Sequence, residues 1–330
     1  MAKFQAYRIF SEDGKVQARL VEASLEELDP GEVVIRTAYS SVNYKDALAA
    51  TGAGKIIRRF PCIAGIDAAG SVASSSDPRF REGDAVICTS YDMGVAHDGG
   101  YAEYVRAPAD WVVALPSSMS TFDAMALGTA GYTAGLAVER MEHEGLNPTN
   151  GPVIVTGASG GVGSVAIDIL AGAGYHVVAL TGKAAETEYL KQLGAKDVML
   201  RSGLDLSKIK PLDKATWAGA VDNLGGEVLA WLASTMQVGG AIASIGLAAS
   251  HRFNATVMPF ILRGVSLLGV DSVNTPMPLR KKVWQRLATD LKPRHLKDMT
   301  TVVTLDQLPP VFEKILKAQS RGRTVVKLGG

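Results

Sequence analysis

The residues best suited to chemistry lie mid-chain, in the run Gly157-Ala158-Ser159-Gly160-Gly161-Val162-Gly163. The apolar segment PVIVT precedes it and the apolar-periodic SVAIDIL follows. Glycine allows a tight turn and lets backbone N–H groups approach a ligand closely, while the start of a helix adds partial positive charge. A strand, this turn and a helix in that order make a cradle for a pyrophosphate, so the run reads as a dinucleotide fingerprint.

The end of the next strand distinguishes one dinucleotide from another. A ribose 2′-hydroxyl is commonly met there by an acidic side chain, whereas a 2′-phosphate favours a cation and hydroxyls. The sequence HVVALTGKAAE puts Thr181, Gly182 and Lys183 at that place, which predicts NADPH over NADH. Arg201, just after DVML at the end of the following strand, offers a second charge. The competing readings are a solvated lysine opening a helix and a surface arginine.

Other chemistries find less support. The two cysteines, Cys62 and Cys88, are too few for a disulfide framework and suit a reducing compartment. His97, His143, His176, His251 and His295 lack the short spacings that place two ligands on one face, so no metal site is expected. The 34 basic and 33 acidic residues nearly cancel, which gives no bulk attraction to nucleic acid or to an anionic membrane. No apolar run approaches membrane-spanning length and the charged N-terminus does not resemble a signal peptide, so a cytoplasmic protein is expected.

These residues require elements to hold them. FQAYRIF, VQARLVEA and EVVIRTAYSSVN read as strands, a short helix starts at Tyr44, and GIDAAGSVASS, REGDAVICTS and GGYAEYVRAP continue a mainly β, barrel-like pattern. From Thr121 the spacing turns helical, and strands then alternate with helices from PVIVTG to GAIASIG, the mark of a parallel doubly wound sheet. The predicted organisation is α/β, with residues 1–124 forming the first domain, 125–265 a Rossmann domain, and 266–330 returning to complete the first. The segment SLLGVDSV reads as an edge strand able to pair with its copy, which predicts a homodimer.

Taken together, SSVNYKDALAATGAGKIIRRFPCIAGIDAAG, TSYDMGVAHDGGYAEY, GTAGYTA, VTGASGGVGS, WAGAVDN, TVMPFILRGVSLLGVDSV and GRTVVK resemble the medium-chain dehydrogenase/reductase superfamily. The resemblance spans nearly the whole chain and points to the quinone oxidoreductase-like, acrylyl-CoA reductase branch. It implies a Rossmann domain inserted into a GroES-like catalytic domain. Zinc-dependent members of the superfamily carry a cysteine where this chain has Asn43, and Gly-His-Glu where it has Gly65-Ile66-Asp67, so a zinc-free enzyme is implied.

The resemblance further implies NADPH contacts from Tyr44, from Ser159, Gly160, Gly161 and Val162, and from Thr181, Gly182 and Lys183. Arg201, Leu247, Ile261, Ser272 and Arg323 match further positions along the cofactor cleft. Read from the residues alone, Leu247, Ile261 and Ser272 are core or edge-strand positions.

Without a metal, a hydride acceptor must be activated by conjugation and hydrogen bonds, which suits an α,β-unsaturated thioester. The resemblance implies reduction of acryloyl-CoA to propanoyl-CoA as the reaction. The alternatives are reduction of quinones or other small conjugated carbonyls, and a non-catalytic NADPH-binding redox sensor. Tyr44 is the candidate acid, water positioner or hydrogen-bond donor, its alternative being a wall of the nicotinamide pocket. Asn43 orients substrate or satisfies a buried turn, and Asp46 makes a structural hydrogen bond or caps the short helix. Arg58 and Arg59, with Lys55 in GKIIRRF, are candidates to meet CoA phosphates, against the default of a solvated charged turn.

Overall fold

Two glycine-and-aspartate positions set the first local structure: Asp13 and Gly14 both adopt positive φ, which closes the hairpin of β1 (Phe4–Glu12) and β2 (Lys15–Ala23). The structure, a computed structural model, describes residues 3–329. It divides into two units, one of residues 1–129, 273–281 and 296–330, the other of residues 130–272 and 282–295.

In the first unit, β3 (Val33–Ser41), α1 (Tyr44–Thr51), β4 (Cys62–Ile63), β5 (Asp67–Ser75), β6 (Ala85–Thr89), β7 (Tyr104–Ala107) and β8 (Val112–Ala114) follow. The helical run α2 (Thr121–His143) is interrupted at Gly128, and its residues up to Thr129 belong here. The second unit holds β9 (Val153–Thr156), α3 (Gly161–Gly172), β10 (Val177–Thr181), α4 (Thr187–Gln192), β11 (Asp197–Leu200), β12 (Trp217–Asp222), α5 (Gly226–Thr235), β13 (Met236–Ser244), α6 (Met258–Arg263) and β14 (Ser266–Gly269). The chain ends with α7 (Met277–Ala288), β15 (Thr300–Val303), α8 (Leu308–Leu316) and β16 (Arg323–Lys327).

A three-stranded sheet in the order β2-β1-β4 and a seven-stranded sheet in the order β15-β16-β3-β5-β6-β8, with β7 also paired to β3, build the first unit. Alternating residues put Val33, Ile35, Val72, Val86 and Val105 into one core, while Tyr7, Tyr101, Leu308 and Phe312 pack in another. Cys62 and Cys88 are separate buried thiols, and burial pushes both up to about 12.

The second unit has one six-stranded parallel sheet, β11-β10-β9-β12-β13-β14. The order reverses between β9 and β12, the switch point beside which doubly wound sheets bind ligands. Every residue of β9 is buried, as expected of a central parallel strand covered on both faces.

The predicted boundary at residue 266 needs correction. Strand β14 pairs with β13, so it extends the Rossmann sheet, and residues 282–295 also belong to this unit. Physical ties explain the placing of residues 282–295. Val283 and Leu287 pack so closely on Gly135 that a Cβ there would meet them at 3.2 and 3.1 Å. The fully buried Asp168 of α3 accepts a 2.8 Å bond from the His295 backbone, and Arg286 pairs with Glu139 and Glu142 at 2.9 and 2.6 Å.

Candidate active site

The glycine run forms the predicted turn between β9 and α3. Gly157 takes a φ of +57°, and the Gly160 N–H donates to the Gly157 carbonyl at 3.0 Å. Helix α3 begins at Gly161 with no side chain capping it, so its first-turn N–H groups lack intrahelical acceptors. At Gly163 a Cβ would stand 2.5 Å from the Gly157 carbonyl oxygen and 2.8 Å from Ala158 Cα. Only glycine lets the helix lie against the turn. Across the switch point, Thr156 Oγ1 donates to Asp222 Oδ1 at 2.7 Å and Asn223 Nδ2 donates to the Thr156 carbonyl at 2.7 Å, tying the ends of β9 and β12 together.

At the end of β10, buried Thr181 accepts a 3.1 Å bond from the Lys183 N–H, and Gly182 is open on its Cβ side. Strand pairing aligns Thr181 with Leu200, the last residues of β10 and β11, which Gly182 and Arg201 follow. Lys183 and Arg201 thus follow two neighbouring strand ends, and the Glu186 carboxylate acts on Lys183. Burial holds the Lys183 ammonium below the ordinary lysine range. Leu247 and Ile261 are 62% and 70% exposed, Ile261 on the short helix α6, which corrects their reading as core or edge-strand residues. Ser272 is half-buried in the bend after β14.

In the first unit a buried polar network surrounds the start of α1. Asp67 Oδ2 accepts from Ser41 Oγ at 2.5 Å, Asn43 Nδ2 at 2.7 Å and the Thr129 N–H at 2.9 Å, and its Oδ1 accepts from Thr129 Oγ1 at 2.5 Å. Asp46 accepts from the backbone N–H groups of Asn43 and Ile66 at 2.8 and 3.0 Å, closing the first turn of the helix. Burial and the nearby charge of Asp67 push Asp46 up to about 7. Tyr44, the first residue of α1, is half exposed, whereas Asn43 beside it is buried.

Arg323, which the resemblance sets along the cofactor cleft, is anchored by hydrogen bonds to the backbone and to Ser41. It is 2% exposed, and its guanidinium donates to the carbonyls of Ala126 and Val42 at 2.9 and 3.1 Å and to Ser41 Oγ at 2.9 Å. Those bonds hold the Asn43 segment and leave the charge in the interior. Arg58 and Arg59 each meet a carboxylate. Arg58 pairs with Asp92, and Arg59 pairs with Asp29 and lies 3.6 Å from Asp98, so a phosphate would have to compete with carboxylates already in place.

Residues 29–117 match the alcohol dehydrogenase GroES-like domain family, and residues 161–289 match the zinc-binding dehydrogenase family. The chain is 47% identical over 315 residues to the acrylyl-CoA reductase AcuI of Ruegeria pomeroyi, covering 96% of each chain. It belongs to the medium-chain dehydrogenase/reductase superfamily, in its quinone oxidoreductase-like, acrylyl-CoA reductase branch. Among solved structures of this superfamily, the YhdH oxidoreductase of Salmonella enterica in complex with NADP has a TM-score of 0.96 and 46% identity, with 98% of this chain and 100% of that one covered. The yhfP protein of Bacillus subtilis with NAD bound has a TM-score of 0.97 and 48% identity, with 99% and 100% covered.

Within this superfamily frame, sequence reading missed Ser41, Thr129 and the bonding of Asp67. The signal was present as polar residues inside otherwise apolar motifs, SSVN and GTAGYTA. Buried polar side chains need partners, and those partners come from segments 62 residues apart in the case of Asp67 and Thr129.

Proposed function

We propose that the chain is a cytoplasmic, NADPH-dependent reductase that converts acryloyl-CoA to propanoyl-CoA without a metal, and that it works as a homodimer. The observation that carries the cofactor reading is the end of β10, where Thr181, open Gly182 and Lys183 follow one another and the register with β11 sets Leu200, the residue before Arg201, opposite Thr181. Acryloyl-CoA is chosen because the Ruegeria relative named for that activity matches over nearly the full length.

The turn fits a dinucleotide, since a side chain at Gly163 would collide with the loop that must approach the pyrophosphate. Backbone groups of Ser159, Gly160, Gly161 and Val162 would hold the pyrophosphate, and Thr181 to Lys183 with Arg201 the 2′-phosphate. Leu247, Ile261 and Ser272 would cover the remainder. When bound, NADPH supplies the hydride. Tyr44 donates a hydrogen bond to the thioester oxygen as negative charge gathers there. Asn43, fixed by Asp67, holds the first turn of α1 and with it Tyr44.

Support for metal-free chemistry comes from the residues in place. Asn43 and Asp67 are hydrogen-bonded to each other, Ile66 offers no donor, and among the described residues no group of three or more His, Cys, Asp or Glu converges. The two unpaired thiols suit a reducing cytoplasm. Support for the dimer comes from β14, the sheet's edge, near which Val257 and Leu262 are 65% and 59% exposed.

The test is to follow NADPH oxidation with acryloyl-CoA, crotonyl-CoA and a simple quinone. Clear preference for acryloyl-CoA is the expected result. Preference for the quinone would replace the substrate assignment, and tight NADPH binding with no turnover of any acceptor would remove the assignment as an enzyme.

A further inference from the structure

The residues assigned above to the 2′-phosphate leave out a carboxylate that shares their turn. A single 3₁₀ turn, Ala184–Glu186, follows Lys183, and the Glu186 N–H donates to the Lys183 carbonyl at 3.1 Å. An i to i+3 bond of this kind brings the two side chains to the same side of the turn. Both residues are half-buried, and Glu186 Oε2 is shielded from water. An anion thus stands within one turn of the cation that is assigned to a second anion.

Two effects of Glu186 on Lys183 oppose each other. Burial holds the Lys183 ammonium below the ordinary lysine range, and the negative charge of Glu186 pushes it back up, so the carboxylate helps keep the cation charged. The same attraction has to be given up, at least in part, when a 2′-phosphate takes the ammonium. NADH makes no such demand, because its ribose carries a hydroxyl there. The other charges of the region are engaged differently. Glu188 is exposed and stands 3.6 Å from Lys191, while Arg201 follows the neighbouring strand β11. Among the described residues, Glu186 is the carboxylate that shares the Lys183 turn.

We infer that Glu186 is a specificity-determining residue for the dinucleotide, the counter-ion of Lys183 in the free enzyme and the group from which the 2′-phosphate must win that lysine. With Glu186 in place the turn that carries Lys183 is neutral overall, a poorer match to a phosphate than the lysine by itself. The preference for NADPH over NADH is therefore lower than Thr181, Lys183 and Arg201 would set without it. In exchange, Lys183 stays charged, and so able to receive the phosphate, to a higher pH. Glu186 acts through Lys183 and is a positioning residue.

This inference rests on the reading of Lys183 as a 2′-phosphate ligand, and cofactor binding tests it without any acceptor. Dissociation constants for NADPH and NADH are measured by nicotinamide fluorescence in wild type, Glu186→Gln, Lys183→Ala and the double variant. Glu186→Gln should bind NADPH roughly 3-fold more tightly at neutral pH, the size of effect that a partly exposed ion pair exerts, and NADH as before. In the Lys183→Ala background the same change should leave NADPH affinity where it is, because the group it acts through is gone. As pH rises toward the lysine range, NADPH affinity should begin to fall at a lower pH in Glu186→Gln than in wild type, since the cation has lost the charge that supports it. A purely structural role would move both cofactors together and shift no pH profile. NADPH affinity that is unchanged or weaker in Glu186→Gln at neutral pH overturns the inference, as does an equal gain with Lys183 absent. If wild type does not prefer NADPH to NADH, the cofactor reading itself fails, and this inference falls with it.

Discussion

Asn43 gives an amide N–H to Asp67 at 2.7 Å across 24 residues of sequence, with both side chains buried. These are two of the positions at which zinc-dependent relatives differ from this chain, and here the residues at them bond to one another. The carboxylate also gathers Ser41 and Thr129, so the region is organised by hydrogen bonds that radiate from one buried anion. A network of this kind has pH-dependent consequences, because its charges cannot relax into water.

Asp46 offers the cleanest pH prediction. Its folded value, about 7, lies above the ordinary carboxyl value of 3.8, so the folded protein holds the proton more tightly than the unfolded chain. The stability this contributes is complete below about pH 4 and is lost as pH rises through about 7, with a slope of at most roughly 1.4 kcal/mol per pH unit. Thermal melts across that window should show wild type weakening with rising pH and Asp46→Asn following a flatter curve. Parallel curves would assign the slope to another group.

Gly163→Ala tests the turn. The added methyl would lie 2.5 Å from the Gly157 carbonyl oxygen, so α3 has to move away from the loop. Overpacking of this kind costs about 1–3 kcal/mol, and NADPH affinity should fall with the melting temperature. Gly160→Ala is the control, since its Cβ meets the same oxygen only at 3.3 Å, and it should be milder in both measurements. Equal effects would mean that packing of α3 on the turn is not what glycine provides there.

Lys183→Ala and Arg201→Ala test the choice of dinucleotide. A charge-assisted bond to phosphate contributes about 1.5–3 kcal/mol, so each change should raise the KM for NADPH by roughly 10-fold or more. The KM for NADH should stay as it is, because NADH lacks the 2′-phosphate. A similar rise for both cofactors would place these cations elsewhere on the dinucleotide.

Much of this was legible in the residues, for definite reasons. The Gly157 to Gly163 turn could be read because its strand and helix are contiguous in sequence and carry clean periodicities. Lys183 could be read for the same reason, but the alignment of its strand end with the one before Arg201 depends on the Thr181 to Leu200 register, which no local pattern encodes. The boundary at residue 266 failed because an edge strand and an amphipathic helix look alike whichever sheet or core receives them. The ion pairs and hydrogen bonds of Arg58, Arg59 and Arg323 were not legible, because a charged side chain shows its sign in the sequence but not its partner, and the partners Asp92, Asp29 and Asn43 lie 34, 30 and 280 residues away.

The double variant Arg58→Ala, Arg59→Ala decides whether those ion pairs are structural. Since the Arg58 pair is exposed on both sides, its contribution to stability should be small, within about 1 kcal/mol. The KM for acryloyl-CoA and that for NADPH should both stay close to wild type. A selective rise for the thioester would return these arginines to the CoA phosphates.

The dimer reading is tested at the edge of the parallel sheet. Among the described residues β14 pairs with a strand, β13, on one side only, its Gly269 carbonyl accepting from Arg140, while Leu267 within it and Val257 and Leu262 shortly before it expose apolar surface. Val257→Asp with Leu262→Asp places two charges on that surface without touching the buried core. Burying them in an interface would be costly, so sedimentation velocity should show the variant as a monomer and the wild type as a dimer. Because neither residue lies in the glycine turn or at the end of β10, NADPH affinity measured on the monomer should survive. A variant that stays dimeric would move the interface to another face of the molecule.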